Sequence, residues 1–334
     1  MNLLITGGAG FAGSNFIRHI LKKYPNYKII NLDKLTYAGN LDNLKDIEGN
    51  ANYKFVKGDI VDQRTVFKIC RNNKIDAIIN YAAETHVDRS ILDPDAFVKT
   101  DVIGTYNIME AVKEFKISRF IQISTDEVFG SISKGLFTED SPFLPNSPYS
   151  ASKASADLLC RSYIKTYNLP VIVTHSCNFY GPYQYPEKLI PLFITNLLEN
   201  KKVPLYGDGK NIREWIYVLD HCWAIDFLLH KGVVGEVYNI GTGVEKKNYQ
   251  TTDIILKELG LSKDKIELIK DRPGHDRRYA VDWSKLKKLG WQPEYDFNDA
   301  IHETIRWYKQ NEWWWKKLKS GQYLEYYKKQ YGIY

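Results

Sequence analysis

The sequence predicts an α/β fold: a doubly wound parallel sheet with a smaller C-terminal lobe interleaved with it. Three observations lead there. Through the first half, short apolar runs alternate strictly with amphipathic stretches, the pattern of a parallel sheet with right-handed crossovers. A glycine-rich turn joins the first of these runs to the first helical stretch. The 334 residues are 44% hydrophobic and 26% charged, so the chain is globular and long enough to bury a sizeable core without staples.

Taken in order, Leu3 to Thr6, Lys28 to Leu32, Tyr53 to Val56, Ala77 to Asn80, Phe120 to Ser124 and Val171 to His175 read as strands. Each is short and rich in Ile, Val or aromatic residues, as buried parallel strands are. The best-signalled helix opens at Asp93-Pro94, a cap residue followed by proline at the first helical position. Its positions Val98, Val102, Thr105, Met109 and Val112 recur at three or four and predict one buried face. After residue 176 the alternation loosens, with loops at Asn178 to Pro186 and Asp271 to Tyr279. One domain is therefore expected over residues 1–175 and a second lobe over 176–334. Strand signals at Tyr217-Val218 and Val237 to Ile240 mark segments near 213–240 expected to return to the main sheet. The tail from Trp307 to Tyr334 is basic and aromatic around Trp313-Trp314-Trp315 and is expected to pack on the body.

Composition narrows the function classes. The charge balance is 46 − 40 = +6, a mild excess spread along the chain. It suits an anionic small molecule better than nucleic acid, which asks for a concentrated basic stripe. Aromatics at 14% hint at ring-lined pockets. Cys70, Cys160, Cys177 and Cys222 show no CxxC spacing and no neighbouring His cluster, so neither a metal site nor a disulfide framework is expected. The first residues are strand-like, no leader pattern precedes them, and no apolar run nears the roughly 18 residues needed to cross a bilayer. A cytoplasmic protein is expected.

Gly7-Gly8-Ala9-Gly10-Phe11-Ala12-Gly13 follows the first strand and opens a helix. The spacing Gly7-x-x-Gly10-x-x-Gly13 meets three needs: a tight turn, backbone approach to a pyrophosphate, and close helix–strand packing. The helix N-terminus then offers free N–H groups to phosphate. Asp33 ends the second strand, 20 positions past Gly13, where a carboxylate binds ribose hydroxyls and repels a 2′-phosphate. A Rossmann-type site for NAD rather than NADP is expected. Asp59-Ile60 would flank the adenine, and Ala82-Ala83 would let backbone lie against the cofactor.

Tyr149 and Lys153 stand four apart on a predicted helix and share a face. An ammonium beside a phenol, with the cofactor's positive ring, lowers the phenol's pKa and makes it a base at neutral pH. Ser124-Thr125-Asp126-Glu127 precedes the pair at a strand end. Together these features resemble the extended short-chain dehydrogenase/reductase superfamily. Within it the chain resembles the dTDP-glucose 4,6-dehydratase family throughout its length. The resemblance rests on Asp33 to Asn40, Ala82 to Ser90, Ser124 to Gly130 and Tyr180 to Tyr183. It continues through Pro186 to Pro191, Asn211 to Trp215 and Asp271 to Asp276.

The resemblance implies a hydro-lyase in which Tyr149 deprotonates a sugar C4 hydroxyl while hydride passes to NAD. Glu127 would then remove the C5 proton and protonated Asp126 would release the C6 hydroxyl as water. Thr125 would bond the C4 oxygen and the hydride would return to C6. Adjacent carboxyls in different environments can hold the separate acid and base states this requires. It extends the cofactor residues to Phe11, Ala12, Lys34, Leu35, Thr36, Tyr81, Glu84, Thr85 and Thr100. It also implies a dTDP-glucose site at Thr85, Asn178, Lys188, Leu189, Pro204, Leu205, Tyr206, Arg213, Asn248, Asp271, Arg272, Pro273, Gly274 and His275. Arg213, Arg272 and Lys188 suit a diphosphate, and Tyr206 a stacked pyrimidine.

Two positions depart from the family pattern. Ala12 replaces a usual isoleucine, and Phe179 replaces a usual asparagine that contacts the cofactor. The rival readings are a UDP-sugar 4-epimerase, which needs no acid or base for water loss, a UDP-glucose 4,6-dehydratase, and a non-catalytic NAD-dependent sensor. A rhamnose-type deoxysugar pathway is the family's usual context. A homodimer is expected, because Pro94 to Glu114 and Tyr149 to Tyr167 form two long helices flanking the sheet edge, which relatives pair into a four-helix bundle. On the second, Leu158, Leu159, Tyr163 and Ile164 present more apolar surface than one packing face needs.

Overall fold

In a computed structural model, which describes residues 1–331, seven parallel strands form one sheet. Six come from residues 1–176: β1 (Asn2–Thr6), β2 (Lys28–Asp33), β3 (Tyr53–Lys57), β4 (Ala77–Asn80), β5 (Arg119–Thr125) and β6 (Val171–Ser176). β7 (Asn178–Tyr180), β8 (Val203–Tyr206) and β9 (Ile212–Tyr217) belong to the smaller lobe, and β10 (Val237–Ile240) returns to the edge of the main sheet beside β6. The order is β3-β2-β1-β4-β5-β6-β10. Connections turn one way from β1 and the other way from β4, so the crevice for a ligand opens between those strands' C-terminal ends.

The two-residue alternation of β1 sets the layers. Leu3 and Ile5 join Phe16, Ile17 and Ile20 of the Phe11–Lys23 helix and Ala224, Ile225 and Leu228 of the Val218–Lys231 helix. Leu4 points the other way, to Val66 and Ile69 of the Gln63–Asn73 helix, Ile108 and Met109 of the Thr105–Glu114 helix, and Cys160 of the Pro148–Tyr167 helix. Helices thus cover both faces, which is why the strands read as apolar runs rather than alternating ones.

Three expectations need correction. The 94–114 helix is interrupted by a π-helical segment, Val98–Gly104, before the Thr105–Glu114 helix. The wider turn rotates the faces, so Thr105, Met109 and Val112 are buried while Val98 is 51% exposed. The two long helices lie over one sheet face, not along its edge. Tyr217 belongs to β9, whose partners are β7 and β11 (Glu245–Lys247), so of the two returning segments only β10 reaches the main sheet.

In the smaller lobe β8 pairs with β12 (Ile266–Ile269) in parallel. The tail packs back across both lobes: Trp314 Nε1 donates to Asn43 Oδ1 at 2.8 Å, and Lys319 Nζ to Asn196 Oδ1 at 2.8 Å. Trp313 stays exposed. Tail residues 332–334 lie outside the described part. No described helix is long and apolar enough to cross a membrane, and the four cysteines are free and buried.

Candidate active site

The glycine turn closes as its spacing requires. Gly7 adopts φ +68°, and a Cβ there would stand 2.5 Å from the Ala82 amide nitrogen; at Gly13 it would stand 2.5 Å from the Gly7 carbonyl oxygen. The Phe11–Lys23 helix starts immediately after its N-cap Gly10, so its first-turn amides lack intrahelical acceptors and face the crevice. Asp33 shapes the loop from the other side: Oδ2 accepts from the Ala9 amide at 2.9 Å and Oδ1 from the Leu35 amide at 2.8 Å. Burial raises the Asp33 carboxyl above its ordinary value, opposed by those two bonds.

Of the cofactor residues expected from the sequence, all but Leu35 line this cleft. Leu35, at φ +59°, turns its side chain onto the hydrophobic core and offers only its amide. Lys34 and Asp59 pair across the rim at 2.7 Å. Phe179, in place of the usual asparagine, sits 5.7 Å from the Phe11 ring and 4.5 Å from the His221 ring, so the cleft has an aromatic wall there. The cradle fits a dinucleotide: its glycines leave no room for side chains, and Asn178 Oδ1 and Gln184 Oε1 are buried in its wall without partners.

At the far end of the cleft, β5 runs into a tight turn, Asp126–Phe129. Thr125 caps it: its hydroxyl accepts from the Glu127 amide at 3.2 Å and donates to Asp126 Oδ1 at 3.3 Å. Asp126 is fully buried and its Oδ2 has no partner. Burial, with Glu127 and Glu214 nearby, holds its carboxyl well above the usual range. Burial also raises Glu127, but Arg272, Arg213 and Lys188 pull it back, so the two neighbouring carboxyls sit in different fields.

The helix bearing Tyr149 and Lys153 starts from a reciprocal Ser147–Ser150 capping box with Pro148 in the first turn. That fixed start aims both side chains into the cleft. Lys153 is buried and donates to the Ile123 carbonyl at 2.7 Å. The expected lowering of the Tyr149 phenol is not what the protein alone gives. Burial, then the carboxylates of Glu127 and Asp101, push it well above its ordinary value.

A second pocket opens from the first, sharing Glu127, Asn178, Phe179, Gln184, Glu187 and Lys188. Asn178, Lys188, Leu189, Pro204, Leu205, Tyr206, Arg213, Asn248, Arg272 and His275 line it, while Thr85 and Thr125 line the dinucleotide half. Asp271, Pro273 and Gly274 do not line either pocket. Asp271 is turned to its own loop, accepting from the Arg272 amide at 2.9 Å and pairing with His275 Nδ1 at 2.5 Å. Gly274, at φ +61°, carries the chain around outside it. Arg272 Nη1 is buried without a partner, and Lys188 Nζ donates to the Thr85 carbonyl.

Sequence reasoning missed Gln184, Tyr185 and Glu187 in the first pocket and Asp88, Tyr279 and Tyr331 in the second. Glu187 pairs with Arg89 at 2.8 Å across 98 positions, a partner no local pattern reveals.

Residues 4–304 match the family model described as GDP-mannose 4,6 dehydratase. The chain is 51% identical to the low-salt glycan biosynthesis protein Agl12 of Haloferax volcanii over 92% of this chain and 98% of that one. It is 48% identical to the dTDP-glucose 4,6-dehydratase of Streptomyces niveus over 96% of both. Among solved structures, the dTDP-glucose 4,6-dehydratase of Bacillus anthracis in complex with NAD aligns with a TM-score of 0.90 at 52% identity, over 96% of this chain and 100% of that one. The UDP-glucose 4-epimerase of Thermotoga maritima aligns with a TM-score of 0.87 at 28% identity, over 93% of this chain and 100% of that one.

Proposed function

The chain belongs to the dTDP-glucose 4,6-dehydratase family, and from that premise we propose how its cleft works. The protein is a hydro-lyase that converts dTDP-glucose to dTDP-4-keto-6-deoxy-glucose with bound NAD. One observation carries this reading beyond the shared epimerase fold. Asp126, fully buried just behind the wall and with its carboxyl held well above the usual range, adjoins Glu127, a cation-facing carboxyl that lines both halves where the dinucleotide half of the site meets the other pocket.

NAD, when bound, supplies the hydride acceptor and later the hydride donor. Tyr149 takes the proton of the C4 hydroxyl, Thr125 bonds that oxygen, and Lys153 holds positive charge near the phenol. The C4 ketone acidifies the C5 proton, which Glu127 removes. Asp126 gives its proton to the C6 hydroxyl, which leaves as water. Hydride added at C6, with the proton returned from Glu127 to C5, gives the product without net redox change. Tyr149 ends with one proton more and Asp126 with one fewer, so a single proton transfer resets the site.

The test is incubation with dTDP-glucose. A 4-keto-6-deoxy product absorbs near-ultraviolet light in alkali and an epimer does not, so an epimer as sole product overturns the reading. UDP-glucose run alongside measures the contribution of the base and the 2′ position. The product suits deoxysugar biosynthesis of the rhamnose type.

Asp33 should make NAD bind more tightly than NADP, because its buried carboxyl repels a 2′-phosphate. Direct titration checks this, and equal affinities would remove that role from Asp33. A homodimer is the proposed assembly. Val98, Ile103, Tyr106 and Leu158, on the two long helices, are large, apolar and exposed. Light scattering at micromolar concentration should return twice the 38.8 kDa chain mass; a monomer sinks the proposal.

A further inference from the structure

The diphosphate cations and the stacking ring of the second pocket come from distant parts of the chain, and one carboxylate joins them. Asp88, 5% exposed, lies in the first turn of the Val87–Leu92 helix. Its Oδ1 pairs with Arg272 Nε at 3.2 Å. Its Oδ2 accepts from the Tyr206 hydroxyl at 3.0 Å and from Gln330 Nε2 at 3.1 Å. Gln330 Nε2 also donates to the Tyr206 hydroxyl at 2.7 Å, closing a triangle. We propose that Asp88 is the positioning residue of the nucleotide-diphosphate half of the site, holding Arg272, Tyr206 and the Gln322–Tyr331 helix in one buried constellation.

The geometry argues for positioning rather than contact. Arg272 uses one edge of its guanidinium on Asp88 and leaves Nη1 buried and unpartnered. A guanidinium presents its donors in a rigid plane, so fixing Nε fixes where Nη1 points. A buried donor without an acceptor is costly, and an anionic ligand oxygen would satisfy it. Tyr206 is held the same way through its hydroxyl, so its ring plane is set by Asp88 and Gln330 together. The last helix enters through Gln330 and through Tyr331, which lines the pocket. Asp88 thereby makes the far end of the chain part of the nucleotide site.

This rests on the dehydratase reading of the pocket, so the probe is dTDP alone, measured by calorimetry beside NAD. Wild-type protein should bind both. Asp88→Asn should weaken dTDP about 30-fold or more, the usual loss when one partner of a buried hydrogen-bonded charge pair is removed. NAD affinity should stay within about 3-fold, and turnover should show a raised KM with kcat much less changed. In an Arg272→Gln background the same Asp88 change should cost under about 3-fold, because its main partner is gone. Gln330→Ala, at the chain's far end, should weaken dTDP several-fold with NAD unmoved and covers the case in which Asp88→Asn does not fold. Wild-type protein that ignores dTDP removes the pocket reading and this proposal with it. Intact dTDP binding by wild type, with fully additive Asp88 and Arg272 effects or equal losses for NAD, overturns the positioning role alone.

Discussion

Tyr149→Phe should lower turnover of dTDP-glucose by about 10²–10⁴-fold, the usual contribution of a positioned acid–base group. The fold should survive, since the ring keeps its edge-on packing at 6.2 Å from Phe97 and loses only its hydroxyl. What fails is the first step. Without a group to take the C4 proton, hydride transfer stalls, so mixing with substrate should give no build-up of reduced-nicotinamide absorbance. The raised phenol sharpens this expectation. Burial and the Glu127 and Asp101 carboxylates disfavour the phenolate, so Tyr149 works only with positive charge beside it. Lys153→Met should therefore be nearly as damaging, and raising the pH should partly rescue it by ionising the phenol directly. Normal turnover by Tyr149→Phe would move the base elsewhere.

How much of this could be read in the sequence depends on how local each feature is. The strands of the main sheet and the glycine turn are local: apolar runs, a Gly7-x-x-Gly10-x-x-Gly13 spacing and Asp33 are fixed by their neighbours, and the structure places them together. Tyr149 and Lys153 share a face because helical periodicity puts them there. The π segment was not legible, because nothing in the local spacing separates it from a regular helical turn, and its last residue, Gly104, packs on Ile60, 44 positions away, where a Cβ would stand 2.3 Å from that side chain. Asp88 is not legible in the sequence either. Its partners lie at 206, 272 and 330, and no pattern around residue 88 encodes them. The resemblance supplied the loop 271–275 as a block, but only Arg272 and His275 reach the pocket, since side chains in a turn point to different sides.

Glu127→Gln should separate the two halves of the reaction. Glutamine is nearly isosteric with the acid, and the turn is held by the Thr125 hydroxyl and the Glu127 backbone amide, neither of which changes. Oxidation at C4 depends on Tyr149 and Lys153, on a different element, and should proceed. The C5 proton then has no acceptor, so net turnover should fall by about 10²–10⁴-fold while reduced-nicotinamide absorbance and the 4-keto-glucose intermediate accumulate. In wild type the group must be ionised to act. Burial raises its pKa, so activity should fall on the acid side above the ordinary glutamate range of about 4.3. As pH drops through that raised value the carboxylate is lost, and the variant should lack this limb. In deuterated water, wild type should carry deuterium into C5 and the variant should not. Full C5 exchange with normal turnover would show that Glu127 is not the base. A variant unable even to reduce the nicotinamide would show that Glu127 also shapes the oxidation geometry, and the division between Tyr149 and the 126–127 carboxyl pair would not hold.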